Sequence, residues 1–325
     1  MLNNKKILIT GATGSFGKEF IKHLVKNYKK IKKLVIFSRD ELKQSEMSKI
    51  YDVKKYPFIR FFIGDIRDKD RVNMALKDID YVIHAAALKQ VDTSEYNPFE
   101  TIKTNVIGTQ NIIEACLNNK VKKMIALSTD KAVSPFNLYG ATKLCAEKLT
   151  ISANNIKGNN PISFSIVRYG NVLGSRGSVL PVFLHQKNSK TLTITQKEMT
   201  RFNISLKESI DLVLWSLKNS KGGEIFIPKL KSFKIIDLAK AICPNCKIKY
   251  IGTRRGEKIH EELVSEYESE YLYDFGKYYG ILNPDDKRLN KKKIIKRISY
   301  NSKDNKDFLN VSELKKILSK NVQKI

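Results

Sequence analysis

Ser128-Thr129-Asp130-Lys131, followed by Tyr139-Gly140-Ala141-Thr142-Lys143, gathers the groups of this chain best suited to moving protons. Tyr139 and Lys143 share one face if the segment is helical. An ammonium beside a phenol favours the phenolate and lowers its pKa toward a useful range. Such a phenolate can take the proton of a hydroxyl while a hydride leaves the same carbon. Thr129 or Ser128 can bond that hydroxyl. Asp130 and Lys131 add a second acid/base pair, which oxidation alone does not need. A protonated Asp130 can donate to a leaving hydroxyl. A neutral Lys131, its pKa lowered by burial near another cation, can remove a carbon-bound proton. Opposed shifts in adjacent groups are how acid is divided from base. The plainer roles are a helix cap for Asp130 and a solvent-facing Lys131; the neighbouring Tyr/Lys pair favours chemistry.

The elements that position these groups begin at Lys6 to Thr10, an apolar, β-rich run of the kind found in buried parallel strands. Gly11-Ala12-Thr13-Gly14-Ser15-Phe16-Gly17 follows, then an amphipathic run from Lys18 to Lys26. Strand, glycine turn and helix carry a pyrophosphate on backbone N–H groups at the helix N-terminus. The spacing is GxxGxxG. Leu34 to Phe37 reads as the second strand, with Ser38-Arg39-Asp40 at its tip. An acid at that tip would accept bonds from a ribose 2′-hydroxyl. Arg39 suits a 2′-phosphate instead, and Lys43 adds charge, which predicts NADP rather than NAD.

Further strands are predicted at Arg60 to Gly64, Tyr81 to His84, Lys123 to Ser128 and Ser163 to Arg168, with helices from Pro98 to Asn118 and Asn137 to Ala153. The alternation predicts an α/β fold, a Rossmann-type doubly wound parallel sheet. Ligands then bind beyond the C-terminal strand ends, where Gly14, Arg39, Asp65, Ala85 and Thr129 fall. After Asn171 the pattern loosens into a Gly/Ser-rich loop, Gly174 to Ser178. A helix from Leu206 to Asn219 and a strand from Glu224 to Ile227 return to the sheet. The expected partition is a dinucleotide domain of 1–172 with 203–240, and a smaller substrate lobe and tail of 173–202 and 241–325. The Lys-, Asn- and Asp-rich last portion reads as partly mobile. Ser312 is the expected cap of a closing helix with Leu314, Ile317 and Leu318 on one face.

The chain has 325 residues and a formal net charge of +27. The excess Lys is scattered, without the aromatic-interleaved stripe of a nucleic-acid binder, and reads as solvated surface able to draw in an anionic substrate. No apolar run approaches a membrane span, and no signal-peptide pattern precedes the first strand, so a cytoplasmic location is expected. Cys116 and Cys145 read as small core hydrophobes. Cys243-Pro244-Asn245-Cys246 lacks the second ligand pair of a zinc site, and no metal or redox use is expected for it. His84 reads as structural and Trp215 as core.

The glycine loop, Asp65, His84-Ala85-Ala86-Ala87 and the Tyr139/Lys143 pair resemble the extended short-chain dehydrogenase/reductase family. Ser38 to Met47, Leu88-Lys89, Leu127 to Ala132, Arg168 to Val172, Gly174 to Ser178, Met199 to Phe202 and Gly256 to Glu261 are similar to the inverting UDP-N-acetylglucosamine 4,6-dehydratases. The resemblance implies NADP, a UDP-sugar substrate, soluble homo-oligomers and a first step toward pseudaminic acid or related sugars. It implies a cofactor wall of Gly11, Thr13 to Gly17, Ser38 to Lys43 (with Asp40, Glu41 and Leu42), Asp65, Ile66, Ala85, Ala86, Lys89, Tyr139, Lys143 and Val172. Lys89, Asn171, Ser178, Val179, Thr200, Arg201, Arg254, Glu257 and Lys258 would meet the UDP-sugar. Retaining relatives carry Asp-Glu where this chain has Asp130-Lys131, so inversion at C5 is expected. A UDP-hexose 4-epimerase would use the Tyr/Lys pair without the Asp-Lys, and a non-catalytic NADP-binding scaffold would use neither.

Overall fold

Successive side chains of a strand point to opposite faces, so a strand apolar at every position must be covered on both. In β1 (Lys6–Thr10), Ile7 and Ile9 join a buried cluster with Phe20 and Leu24 of α1 (Ser15–Asn27). Leu8 joins the cluster on the other face. β2 (Lys33–Ser38) repeats the division, Leu34 and Ile36 against Val35 and Phe37. The computed structural model describes residues 2–174, 178–283 and 298–321. Ser175, Arg176 and Gly177 of the Gly/Ser-rich loop, and much of the Lys- and Asn-rich last portion, lie outside the described residues.

β3 (Ile59–Ile63), β4 (Tyr81–His84), β5 (Lys123–Thr129) and β6 (Ser163–Tyr169) complete a parallel run in the order β3-β2-β1-β4-β5-β6. β1 pairs with both β2 and β4, so the winding reverses there, and the crevice beyond those strand ends is where such sheets take ligands. α2 (Glu41–Ile50), α3 (Lys69–Ala75), α4 (Val91–Tyr96), α5 (Pro98–Ile102), α6 (Gly108–Asn118) and α7 (Leu138–Ile156) lie between the strands. The fold is Rossmann-type, doubly wound α/β.

The stretch expected as one helix from Pro98 to Asn118 carries a π-helical turn, Lys103–Ile107, between α5 and α6. The widened turn frees Asn105 to bond Leu88 N and O at 2.8 and 2.9 Å and Thr142 Oγ1 at 3.1 Å. It thereby ties the loop after β4 to α7. Asn137 caps α7 by accepting from Gly140 N at 2.8 Å, which sets Tyr139 and Lys143 in its first turns.

Beyond β6 the chain alternates between the main sheet and a smaller lobe. β7 (Asn171–Val172), β9 (Thr200–Ile204) and β11 (Lys231–Lys234) form a small sheet; β8 (Thr191–Ile194) pairs with β12 (Lys247–Tyr250), and β13 (Glu262–Val264) with β16 (Tyr300–Asn301). α8 (Val179–Gln186), α10 (Ile235–Ile242) and α11 (Val311–Asn321) close over Leu192 and Phe233 with Phe183, Leu238 and Leu314. α9 (Leu206–Asn219) packs on β5 and β6, and β10 (Ile225–Pro228) pairs with β6.

This differs from the expected partition in two places. β14 (Leu272–Asp274) and β15 (Tyr278–Ile281) extend the main sheet antiparallel past β10, inside the stretch assigned to the lobe. They are drawn there by Trp215 of α9, whose ring lies 5.0, 5.7 and 4.8 Å from those of Phe226, Phe275 and Tyr278. β11 and α10 instead pack with the lobe. At the last helix Asn310, not Ser312, is the cap: its Oδ1 accepts from Glu313 N at 2.9 Å and Glu313 Oε2 accepts from Asn310 N at 3.0 Å. Cys116 is buried, but Cys145 is exposed on the outer face of α7. Cys243 and Cys246, expected to have no redox use, are joined by a disulfide at the end of α10.

Candidate active site

Gly11 takes φ +63°, and a Cβ there would lie 2.8 Å from Ala86 N, so the glycine turn sits against the chain leaving β4. A Cβ on Gly17 would lie 2.4 Å from Ala12 O, so α1 rests directly on the loop. No side chain caps α1 and no acid stands in its first turn. Its unsatisfied N–H groups and dipole therefore form a place for a phosphate. Thr13 Oγ1 and Ser38 Oγ, 2.8 Å apart, join the loop to the tip of β2. Arg39 stands there half-exposed, Nη1 3.7 Å from Asp65 Oδ2. Thr10 Oγ1 accepts from Ala85 N and Ala86 N, both at 3.1 Å, and meets His84 Nδ1 at 2.8 Å. His84 Nε2 meets Thr109 Oγ1 at 3.1 Å. Burial, then the charge of Lys143, pushes His84 down to about 3, so it is a neutral pin under the floor of the site.

The proton-moving groups converge at the ends of β5 and α7. Asp130 is fully buried. Its Oδ1 accepts from Thr129 Oγ1 and from Lys131 Nζ, each at 3.0 Å. Lys131 Nζ also lies 3.0 Å from Glu261 Oε1. Burial pulls Lys131 down, but Asp130 and Glu261 together pull it up by more, and it stays above its ordinary value. The expected neutral Lys131 is thus corrected: two carboxylates outweigh burial. The expected effect of Lys143 on Tyr139 is corrected too. Lys143 Nζ donates to Leu127 O at 2.8 Å, because a buried ammonium takes the nearest carbonyl. Burial lowers Lys143 to about 8, against the pull of Glu147. Tyr139 is pushed up to about 12, mostly by burial; the cation that opposes this is Lys131, aided by a hydrogen bond with Thr129. A Cβ on Gly140 would lie 2.2 Å from Lys131 O, so the first turn of α7 and the Asp-Lys turn are in direct contact.

A cavity of about 690 Å³ runs between the loop and the lobe. One wall holds Gly11, Thr13, Gly14, Ser15, Phe16, Gly17, Ser38, Arg39, Asp65, Ile66, Ala85, Ala86, Lys89 and Val172. The other holds Asn171, Ser178, Val179, Arg201, Arg254, Glu257 and Lys258, with Thr129, Asp130, Lys131, Tyr139 and Lys143 between. Six polar atoms of this lining are buried without a hydrogen-bond partner among the described residues: Thr104 Oγ1, Ser128 Oγ, Asp130 Oδ2, Asn171 Oδ1, Ser178 Oγ and Glu261 Oε2. Such atoms are rare, and their convergence on one cavity fits a polar ligand.

Other predicted positions stand elsewhere. Asp40 caps α2, accepting from Lys43 N at 2.9 Å, and also holds Lys43 Nζ; with Glu41 and the exposed Leu42 they lie outside the lining. Thr200 lies behind the wall, Oγ1 2.8 Å from His260 Nδ1 and 2.7 Å from Ser302 Oγ. Arg201 spends its guanidinium stitching the 258–261 loop, donating to Lys258 O at 2.9 Å and Ile259 O at 3.0 Å. Glu261 was given no role from sequence; only its place in the Gly256 to Glu261 motif marked it.

The fold, the glycine loop and the Tyr139/Lys143 turn define an extended short-chain dehydrogenase/reductase. Residues 7–283 match the family described as polysaccharide biosynthesis protein. The chain is 55% identical over 283 residues to the UDP-N-acetylglucosamine 4,6-dehydratase (inverting) of Campylobacter jejuni, covering 86% of this chain and 84% of that one. It is 45% identical to the UDP-glucose 4-epimerase of Rickettsia bellii across 98% of this chain and 96% of that one. Among solved structures, Pen from Bacillus thuringiensis superposes with a TM-score of 0.91 at 39% identity, covering 98% of each chain. The chain belongs to the polysaccharide biosynthesis protein family and, within it, to the inverting UDP-N-acetylglucosamine 4,6-dehydratases.

Proposed function

We propose that the protein catalyses NADP-dependent 4,6-dehydration of UDP-N-acetylglucosamine with inversion at C5. The product would be UDP-2-acetamido-2,6-dideoxy-L-arabino-hexos-4-ulose, a first step toward pseudaminic acid or related surface-glycan sugars. The observation that carries this reading is the Asp130-Lys131 pair, its carboxyl buried and its amine partly exposed, lining one cavity with Tyr139. When bound along the glycine-loop wall, the nicotinamide supplies the hydride acceptor for C4 and later the donor for C6. Tyr139 takes the 4-hydroxyl proton, and Lys131 is the cation that favours its ionised form. A 4-ketone acidifies the C5 proton, which Lys131 removes as it gives up its own. Asp130 protonates the departing 6-hydroxyl. Reprotonation of C5 on the opposite face inverts that centre. A cytoplasmic homo-oligomer belongs to the same reading. Among the described residues no helix is long and apolar enough to cross a membrane.

A 4-epimerase is the second reading, favoured by the full-length similarity to a protein of that name. It leaves the Asp130-Lys131 pair without a task. Incubation with UDP-N-acetylglucosamine and NADP in deuterated water separates the two. Dehydration removes water and places deuterium at C5; epimerisation leaves the mass unchanged; a scaffold yields no product.

The preference for NADP rests on Arg39. Its pairing with Asp65 is long and half-exposed, hence weak and readily exchanged for a 2′-phosphate. Arg39→Ser should weaken NADP binding by roughly tenfold or more, the worth of one charge-assisted contact, and leave NAD unchanged. Equal loss for both cofactors in a titration would remove Arg39 from this role.

A further inference from the structure

Lys131 Nζ stands 3.0 Å from a carboxylate on either side, Asp130 and Glu261. Both carboxyls are buried, at 0% and 2% exposure. Two buried carboxyls beside one ammonium do not both ionise cheaply, so one keeps a proton. Their surroundings decide which. Glu261 has a second cation: Arg201 Nε lies 3.7 Å from its Oε1, and Lys258 faces it from the loop below. Asp130 has one cation in contact, Lys131, with Lys258 acting from farther off and more strongly on Glu261, and Glu261 and Tyr139 face it as well. Lys89 completes the charged groups around Lys131, and Glu257 stands beyond Arg201 at 3.7 Å. The tail holds Glu261 in place: Glu261 N donates to Ser302 Oγ at 2.9 Å, and Ser302 N donates to Glu261 O at 2.7 Å.

We propose that Glu261 is a positioning residue that carries the negative charge of this cluster, so that Asp130 keeps a proton for the departing hydroxyl and Lys131 has an acceptor for its own. The proposal rests on the dehydratase reading above. The electrostatics run the same way. Burial and then the charge of Glu261 raise Asp130 against the pull of Lys131. Burial would raise Glu261 too, but Lys131 and Arg201 outweigh it and hold it low. The step balances. As the C5 proton passes to Lys131 Nζ, a proton already on Lys131 passes to Glu261 Oε1, so the amine is never left free; the Asp130 proton goes to the 6-oxygen as the C6–O bond breaks. Water leaves, Asp130 is ionised, Glu261 is neutral, and the cluster's charge is unchanged.

Infrared spectroscopy of the ligand-free protein tests this without turnover. The carbonyl stretch of a buried protonated carboxyl is expected in the wild type, and its loss in Asp130→Asn assigns it. In Glu261→Gln, Asp130 ionises against Lys131 and the band disappears at neutral pH; in Glu261→Asp, which keeps the charge, it stays. Its absence from the wild type, or its survival in Glu261→Gln, overturns the proposal. In turnover, Glu261→Gln lowers kcat with KM unchanged. The variant-to-wild-type ratio rises as pH falls, about tenfold per unit until Asp130 is protonated again, and levels off below one because the acceptor for the Lys131 proton is still missing. A ratio flat with pH marks a merely structural role and overturns the proposal. Failure of the dehydratase reading shows separately, as wild-type protein that removes no water.

Discussion

Lys131→Ala should slow dehydration about a thousandfold, within the range a positioned acid or base supplies. UDP-N-acetylglucosamine should still bind, because the Asn171, Ser178 and Arg254 side of the cavity is untouched. Deuterium entry at C5 should fall in step with water loss, since both wait on the same proton. Turnover within tenfold of the wild type would take Lys131 out of the chemistry. The same substitution leaves Asp130 and Glu261 buried with no ammonium between them. Asp130, already raised in the wild type, then loses the cation that opposed its shift and rises further. Its folded pKa is raised, so its contribution to stability is complete below the ordinary carboxylate range and is lost as pH rises through the raised value. The melting deficit of Lys131→Ala against wild type should therefore widen from acid to neutral pH, a trend a thermal scan at several pH values reads directly.

The half of the site built from local pattern was legible in the sequence. The apolar runs of β1 and β2, the GxxGxxG turn and the Asn137-capped helix each carry their signal within a few residues, and local rules suffice for them. Tyr139 and Lys143 were legible as neighbours on one turn, but not in their partners. Whether Lys143 meets a phenol or the Leu127 carbonyl depends on which strand end lies closest, and spacing does not contain that. The sign of the Lys131 shift was lost for a related reason. It depends on how many carboxyls surround the amine, and the second, Glu261, arrives from far downstream on a loop held by the β13–β16 pair and Ser302. The edge hairpin β14–β15 was hidden likewise. Its place is set by rings gathered around Trp215 from three separate segments.

Arg168→Met should cost about 3–5 kcal/mol of stability, the range for breaking a buried ion pair by removing one partner. Arg168 lies fully buried on β6 and donates to two carboxylates at once. Nε and Nη2 reach Glu147 of α7 at 3.0 and 2.6 Å; Nη1 and Nη2 reach Glu268 at 3.0 and 2.9 Å; Nη1 also reaches Leu263 O at 2.9 Å. Methionine fills the volume but leaves a buried Glu147 and a partly buried Glu268 facing each other, so the loss comes from stranded charge rather than a cavity. The melting temperature should fall on the order of 10 °C. The pH dependence has a defined sign. Burial alone would raise Glu268, but Arg168 outweighs it and holds it below its ordinary value. In the wild type that stabilisation is present above the unfolded carboxylate pKa of about 4.3 and is lost as pH falls through the lower folded value. In the variant the Ser265 hydrogen bonds remain but the largest cause opposing burial is gone, so Glu268 shifts up from its wild-type value and the variant loses stability relative to wild type as pH rises toward neutrality. The two melting curves should converge in acid and separate near neutral pH. The site should register the change as well. Glu147 sits one turn from Lys143 and already pulls that amine upward against burial. Without Arg168 to share its charge it pulls harder, and Lys143 holds its proton to higher pH. A variant that melts within about 2 °C of wild type at neutral pH would mean that water reaches the two carboxylates and that β6 and α7 are held together by apolar contacts alone.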